Sequence, residues 1–262
     1  AFGRTYDCGQ FGENMDRVLG LADHDGFAAR QQDARARGKL RGLGFANAIE
    51  RAASPGLEFA EIRFNPSGGA TILMGSKNQG QGHETIFRQI AAERLGIDPS
   101  DIQYIDGDTD RVAFCIGTNG SRSTVIGGSA LWQAAGKIIE KGKRIAAHFM
   151  EADVEDMDYA DGLFTVAGTD RSMSLVDVAR SAFMHAKLPP DLEGGLFETA
   201  TFSPEADTFP NGAHVCEVEI DPETGQVNLV SYSVVDDVGT VINPMGLKGQ
   251  IHGGMPRAWA RH

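Results

Sequence analysis

Cysteine is scarce in this sequence, and its spacing matches no metal-binding pattern. Cys8, Cys115 and Cys216 are the three cysteines among 262 residues, and no two of them form a CxxC pair. This spacing excludes an iron–sulfur cluster or a structural zinc site built from these residues. The odd number argues against a disulfide scaffold. We therefore expect buried structural thiols and a reducing, cytoplasmic location.

Long apolar runs are absent as well. No stretch of about 18 apolar residues occurs, so the sequence predicts no membrane span. Residues 1–10 contain no basic segment followed by an apolar one and no small-residue cleavage site, so we expect no signal peptide. The first residue is not methionine, which fits a fragment of a longer protein.

Basic residues are outnumbered by acidic ones, 24 against 36, and the formal net charge is −12. A surface of this sign repels phosphate backbones, which argues against nucleic acids and anionic membranes as partners. If the protein binds a phosphate-bearing ligand, local amides and an arginine must hold it against an unfavourable overall field.

The remaining composition is that of an ordinary globular protein, with 41% hydrophobic and 23% charged residues. This is enough for one large domain or two modest ones. Apolar periodicity predicts an α+β fold, with mixed sheets and helices packed on them. The predicted helices span residues 13–22, 26–37, 85–95, 129–152 and 172–185. The predicted strands span residues 40–49, expected to be buried, 57–64 and 70–74 as a hairpin, 102–105, 195–202, 213–220 and 227–235.

A first glycine-rich segment, residues 78–85, comes directly before a predicted helix. Gly80 and Gly82 permit close approach of a ligand to the backbone. The helix that follows directs free N–H groups and a partial positive charge at this segment, which suits phosphate. Gln81 offers an amide donor and an acceptor, the pair needed to read the edge of a heterocyclic ring. The alternative is a tight turn with an exposed glutamine, since a single GxG loop is weak evidence.

A second such segment, residues 118–124, precedes the longest predicted helix. It combines four hydroxyl groups, the guanidinium of Arg122 and backbone amides freed by Gly120. This combination indicates a cradle for an oxyanion. The alternative is a Ser/Thr loop that caps the helix, with a solvated arginine.

Two acidic runs are not assigned as sites. Asp106, Asp108 and Asp110 alternate like the start of a calcium loop, but the glycine at the sixth position and the glutamate at the twelfth are missing. We expect a solvated turn there. Asp236 and Asp237 are neighbours in a predicted strand, so their side chains point to opposite faces and form no acid–base pair.

Several of these segments carry a resemblance to a known family. Residues 80–82 (GQG), 107–110 (GDTD) and 120–123 (GSRS) follow in order, and residues 211–225 and 235–254 extend the likeness over nearly the whole chain. Together they resemble the molybdopterin-binding large subunit of molybdenum hydroxylases, the family of xanthine dehydrogenase, aldehyde oxidase and aerobic carbon monoxide dehydrogenase. The resemblance implies an α+β fold in which residues 1–54 end a first molybdopterin-binding half, with connecting helices. Residues 55–262 would form a second molybdopterin-binding domain, truncated at its C-terminus.

The resemblance also implies the cofactor and the residues that bind it. The cofactor is a molybdopterin, expected here as the cytosine dinucleotide, whose own dithiolene holds molybdenum, so no side chain is assigned as a metal ligand. The residues implied to contact the pterin and its pyrophosphate are Gly80, Gln81, Gly82 and His83. Those implied to hold the phosphate side of the dinucleotide are Gly120, Ser121, Arg122, Ser123 and Thr124.

The implied activity is that of an oxidoreductase that oxidises an aldehyde, a purine or N-heterocycle, or a similar small molecule, with water as the oxygen source. An FAD-binding medium subunit, an iron–sulfur small subunit with [2Fe-2S] clusters and the remainder of the large subunit are the implied partners. The glutamate that serves such enzymes as general base lies beyond this sequence, so no catalytic residue is assigned and the chain alone is expected to be inactive. The alternatives are a non-catalytic cofactor-binding or interaction module and an inactive frameshifted fragment.

The last eight residues, 255–262, depart from the resemblance. Family members continue with Met-Ala-Gln-Gly-Leu-Gly-Gln-Ala or a similar run, whereas this sequence reads Met-Pro-Arg-Ala-Trp-Ala-Arg-His. Deleting one G from the second codon of a string that encodes the family run produces the observed residues. We therefore expect an out-of-frame end, which resequencing the locus would test.

Overall fold

The computed structural model describes residues 3, 5–53 and 56–259, and these form two compact units. Unit 1 contains the chain up to residue 52 together with residues 207–240, and unit 2 contains the rest. The predicted boundary at residue 54 lies close to the first boundary between the units. Residues 207–240 nevertheless return to unit 1, because their strands pair with the strand at residues 40–49. The assignment of the two parts to halves of a cofactor-binding region stays a prediction.

The regular elements are named here in chain order. They are α1 (Phe11–Leu21), α2 (Phe27–Ala36), β1 (Leu40–Ile49), β2 (Glu58–Phe64), β3 (Ala70–Met74), α3 (His83–Leu95), β4 (Ile102–Asp106), α4 (Gly128–Phe149), β5 (Met157–Ala160), β6 (Leu163–Val166), β7 (Ser172–Ser174), α5 (Leu175–Ser181), β8 (Phe197–Phe202), β9 (Asn211–Ile220), β10 (Val227–Asp237) and α6 (Pro244–Trp259). A π-helical turn, Ser123–Gly127, leads into α4.

Unit 1 is an antiparallel sheet in the order β1-β9-β10, with α1 and α2 packed against it. Its small core contains Val18 of α1, Ala22 directly after that helix, and Ala213 and Val215 of β9. The prediction that β1 is buried is wrong, because every residue of this strand is at least partly exposed. The side chains of a strand point to the two faces of the sheet; α1 packs on β9 and β10, whereas the polar helix α2 packs on β1.

Unit 2 is built on a mixed sheet in the order β4-β3-β2-β8. The predicted hairpin of β2 and β3 is confirmed, and β4 joins β3 in parallel through the crossover helix α3. Helices α3 and α4 pack on each other, and α4 covers β2 and β8. The fully buried side chains of this core include Ile62, Ile72, Phe87, Leu131 and Ile138. Mixed sheets with packed helices confirm the α+β class.

A small sheet, β5-β6-β7, was not predicted. It corrects the predicted helix over residues 172–185, because Ser172–Ser174 pairs with β6 and the helix begins only at Leu175 and ends at Ser181. Ser174 causes this start, since its side chain accepts a hydrogen bond from the backbone N–H of Asp177. Strands this short carry too little alternation to be recognised in the sequence.

The three cysteines are free thiols, but their burial differs from the expectation. Cys115 is exposed, and Cys8 and Cys216 are only partly buried. Among the described residues, no helix is both long and apolar enough to cross a membrane.

Candidate functional site

The first glycine-rich segment forms a loop between β3 and α3, named here the first loop (residues 75–82). Gly80 and Gly82 adopt positive φ angles of 101° and 83°, a region that favours glycine. A Cβ added at either position would meet no atom within 4 Å. The loop is shaped by its own side chains, since Asn78 Oδ1 accepts the N–H of Gly80 at 3.1 Å and Gln81 Oε1 accepts that of Gln79 at 2.5 Å. The backbone at both glycines is therefore open to a ligand.

Asp106, at the end of β4, holds the first loop in place. Its carboxylate accepts a hydrogen bond from the N–H of Asn78 at 2.5 Å and another from the hydroxyl of Tyr104 at 2.6 Å. Asp108 accepts the N–H of Asp110 at 3.0 Å, as expected of a turn. Among the described residues, no group of three His, Cys, Asp or Glu side chains could hold a metal ion. Asp106 thus stabilises the first loop, and Asp108 stabilises the turn that follows β4.

Helix α3 begins with a buried histidine. His83 is 5% exposed, and its ring lies 5.3 Å from that of Phe87 between centroids. Burial lowers the pKa of His83, although the nearby backbone of Ser76 and the charge of Asp106 oppose the shift. Its Nδ1 is buried and has no hydrogen-bond partner. A neutral imidazole with one unused polar atom therefore lies at the start of α3, where no side chain caps the helix.

The second glycine-rich segment forms the second loop (residues 117–122), which enters the π-helical turn at Ser123. Gly117 and Gly120 have φ angles of 83° and 55°, and a Cβ at either would meet nothing within 4 Å. Ser121 adopts a φ of 52°, a left-handed conformation that costs a non-glycine residue about 1–2 kcal/mol. Ser121 and Thr124 are exposed, and no side chain caps the π-helical turn. Strain of this kind often accompanies a binding site.

The structure brings the two loops together. The hydroxyl of Thr118, in the second loop, donates to the backbone oxygen of Lys77 in the first loop at 2.6 Å. The same oxygen atom of Thr118 accepts a hydrogen bond from the hydroxyl of Ser123 at 3.2 Å. The segments that the sequence analysis treated separately are therefore neighbours on one surface of unit 2.

Beneath the loops lies a buried polar cluster, consisting of Glu58, Ser76 and Arg122. Ser76 donates its hydroxyl to Glu58 Oε2 at 3.1 Å, and one terminal nitrogen of Arg122 donates to the backbone oxygen of Leu57 at 3.0 Å. The other terminal nitrogen of Arg122 lies 3.5 Å from Glu58 Oε2 and is otherwise without a hydrogen-bond partner. Burial raises the pKa of Glu58, against opposing contributions from the N–H of Phe59, Arg122 and Ser76.

Arg122 is only 3% exposed, so the alternative of a solvated arginine is wrong. Neither Glu58 nor Ser76 was predicted as a site residue. Glu58 is fully buried at the first position of β2, in a strand whose residues are almost all buried. Nothing in its immediate sequence indicates that its partner lies on a loop 64 residues further along the chain.

Comparison with known proteins gives consistent matches. A family model described as the molybdopterin cofactor-binding domain matches residues 17–259. The carbon monoxide dehydrogenase large chain of Hydrogenophaga pseudoflava is 37% identical over 99% of this chain and 34% of its own length. The nicotine 6-hydroxylase large subunit of Paenarthrobacter nicotinovorans is 35% identical over 97% of this chain and 33% of its own length.

A solved structure matches at the level of the fold and of the sequence. Quinoline 2-oxidoreductase from Pseudomonas putida 86 superposes with a TM-score of 0.85 and 35% identity, over 96% of this chain and 34% of that one. The chain thus spans about a third of the length of the curated relatives it matches.

Proposed function

The chain belongs to the molybdopterin cofactor-binding domain family, and we propose that its two loops hold the phosphorylated pterin of a molybdenum hydroxylase large subunit, in the cytosine dinucleotide form. The observation that carries the proposal is the joining of two glycine-containing loops, each at an uncapped helix start, by Thr118. Free amides at a helix start attract anions. Two such starts side by side suit a ligand with more than one phosphate.

The residues present fit such a cofactor. Space is open beside all four left-handed glycines of the loops, so an atom of a ligand can approach the backbone there. The unpartnered Nδ1 of His83 is a buried polar atom that a ligand could satisfy. Residues 75–83 and 117–124 include Lys77 and Arg122 but no acidic residue. The charged side chains within the loops are therefore positive, whereas the acids that contact the loops, Asp106 and Glu58, lie on the neighbouring strands.

Each residue has a proposed task. The side-chain amide of Gln81 reads the pterin edge, and the first amides of α3 receive the pyrophosphate beside Gly80, Gly82 and His83. The hydroxyl groups and amides of the second segment hold the phosphate side of the dinucleotide, with Arg122 contributing its charge from below. The residues with this second task are Gly120, Ser121, Arg122, Ser123 and Thr124.

The cofactor supplies, when bound, the redox chemistry by which a carbon of the substrate gains an oxygen atom from water. The proposed part of this chain is to bind and orient the cofactor, and no residue is assigned as catalytic. We propose an aldehyde, a purine or another N-heterocycle as the substrate class. Electron transfer would require an FAD-binding medium subunit and an iron–sulfur small subunit, and the free thiols suit a cytoplasmic location.

Titration of the isotope-labelled chain with CDP, which carries a cytidine and a pyrophosphate, tests the proposal. Amide signals of residues 80–84 and 120–125 are expected to shift together and to saturate. The variant Gly82→Ala places a methyl group in the open space, and we expect it to weaken CDP binding about tenfold, equivalent to about 1.4 kcal/mol. Gly225→Ala is the matched control, because Gly225 has a φ of 72° and open surroundings in unit 1.

The outcome that contradicts the proposal is CDP binding that shifts other amides, or no binding at millimolar CDP.

A second measurement addresses the form of the cofactor. The chain is expressed in a bacterium that makes the dinucleotide, purified and hydrolysed in acid. Release of CMP together with molybdenum and oxidised pterin supports the cytosine form, whereas release of GMP or of pterin alone overturns it.

A further inference from the structure

Glu58 is a buried ionisable group to which the proposed function assigns no task. We propose that Glu58 is a positioning residue that sets the spacing of the two loops, because its carboxylate contacts Ser76 of the first loop and Arg122 of the second. The inference rests on the proposed function, since this spacing matters to binding only if one ligand spans both loops.

The carboxylate of Glu58 is held from three sides. Oε1 accepts the N–H of Phe59 at 3.2 Å, which fixes the side chain to its own strand. Oε2 accepts the hydroxyl of Ser76 at 3.1 Å and faces the guanidinium of Arg122 at 3.5 Å. Glu58 has no measurable exposure, and Arg122 is 3% exposed. One oxygen atom on the rigid sheet is therefore shared by two residues that belong to different loops.

The chain is packed closely around this carboxylate. An ideal Cβ at Gly75 would lie 2.1 Å from Glu58 Oε1, so the start of the first loop is in contact with the acid and tolerates no side chain there. An ideal Cβ at Gly127, in the π-helical turn, would lie 3.0 Å from the Ser76 hydroxyl. Ser76 is thus enclosed between Glu58 and the turn that follows the second loop. A displacement of Glu58 would therefore move both the first loop and the turn that follows the second loop.

Stability alone does not account for this arrangement. Moving a carboxylate and a guanidinium out of water is unfavourable, and an apolar pair of similar volume is often as stable or more stable. The raised pKa of Glu58 shows that its partners compensate its burial incompletely. An ionic pair does provide geometric specificity, because a carboxylate fixes the positions of the groups that donate hydrogen bonds to it.

The same strand offers a matched control. Glu61 is 6% exposed and pairs with Arg63. Both members of that pair lie on β2 and neither has a described contact with the loops. Glu61→Gln therefore removes a buried charge from the same strand without removing a link between the loops.

Amide hydrogen exchange of the unliganded chain tests the inference. Glu58→Gln keeps the size of the side chain and removes its charge, and we expect exchange to become about tenfold faster in both the first and the second loop. Glu61→Gln is expected to change exchange in the loops by less than about twofold. The double variant Glu58→Gln/Arg122→Met removes both charges. We expect it to regain the global stability that Glu58→Gln loses, while the amides of both loops still exchange fast.

CDP and inorganic phosphate serve as long and short probes in the same variants. Glu58→Gln is expected to weaken CDP binding about tenfold and phosphate binding less than about twofold, because phosphate needs only one loop. Unchanged loop exchange in Glu58→Gln, or full protection in the double variant, would overturn the positioning role. Equal CDP binding by wild type and Glu58→Gln overturns it while the proposed function stands. Failure of every variant and of the wild type to bind CDP contradicts the proposed function instead.

Discussion

Glu217 of unit 1 and Glu58 of unit 2 are both buried, but their charges are compensated to different extents. In unit 1, Glu217 is 2% exposed and accepts charged hydrogen bonds from Arg30 at 3.0 and 3.1 Å and from Arg41 at 2.6 Å. In unit 2, Glu58 meets one arginine at 3.5 Å. Burial contributes most at both sites and raises the pKa, but the hydrogen bonds and charges of two arginines together lower that of Glu217, whereas the pKa of Glu58 stays raised.

This difference separates two uses of a buried acid. Glu217 joins α2 to the sheet of unit 1, and its compensation by two cations is that of a structural ion pair. Glu58 lies beneath two loops with open glycines, and its incomplete compensation fits a group that positions others. Incompletely compensated ionisable groups tend to gather at functional sites.

The largest effect is expected at Glu217. Glu217→Ala leaves Arg30 and Arg41 close together without their shared acid, although Asp23 and Glu219 still pair with them. The loss of the hydrogen bonds to this buried, charged carboxylate is expected to cost about 1.5–3 kcal/mol. Urea-dependent hydrogen exchange in unit 1 measures this change. Glu58→Gln should reduce the stability of unit 2 by clearly less, and an equal loss at the two sites would remove the distinction between them.

The pH dependence of the two sites is expected to be opposite in sign. A folded pKa below the ordinary value means that Glu217 stabilises unit 1 above about pH 4.5, and that this contribution is lost as the pH falls further. A raised pKa means that the contribution of Glu58 is present below about pH 4.5 and is lost as the pH rises through its folded pKa. Glu58→Gln should make the free energy of unfolding of unit 2 less dependent on pH above pH 4.5. Glu217→Gln should do the same for unit 1 below pH 4.5. Identical profiles in variant and wild type contradict the assignment.

The glycine pair used as test and control should behave alike in stability. Gly82→Ala and Gly225→Ala each force alanine into a left-handed conformation, at a cost of about 1–2 kcal/mol. Thermal unfolding of the two variants checks this value. A much larger loss at Gly82 would mean that a weakened affinity for CDP reports damage to the fold rather than obstruction of the site.

The smallest effect is expected at an exposed ion pair. Arg17 and Glu13 pair one helical turn apart on α1, and both side chains are largely in solvent. Arg17→Ala should change the stability of unit 1 by about 0.2–0.5 kcal/mol, because water screens such pairs. A loss comparable with that of Glu217→Ala would show that burial does not decide the strength of these pairs.

Features formed by neighbouring residues were predicted from the sequence, whereas contacts between residues far apart in the chain were not. Loops at residues 80–82 and 120–124 were found because a glycine pattern before a helix is readable within ten residues. The contact of Glu58 with Arg122 was not, since the two residues meet only when β2 and the second loop are packed. The return of residues 207–240 to unit 1 depends likewise on pairing between β1 and β9, which no short segment encodes.

Burial was the other source of error. Arg122 stands among serines, threonines and asparagine, a composition typical of solvated loops, yet the guanidinium is enclosed by Leu57 and Glu58. Cys115 was expected to be buried, yet it is exposed. Composition predicts average burial, whereas the burial of a single side chain follows from the tertiary packing around it.

A crystal structure of the complete large subunit with its cofactor is the most direct test of the account. We predict that the side-chain amide of Gln81, the first amides of α3 and residues 121–124 lie within hydrogen-bonding distance, about 3 Å, of the pterin or its phosphates. A cofactor bound elsewhere, with both glycine-containing loops facing solvent or another polypeptide, would contradict it.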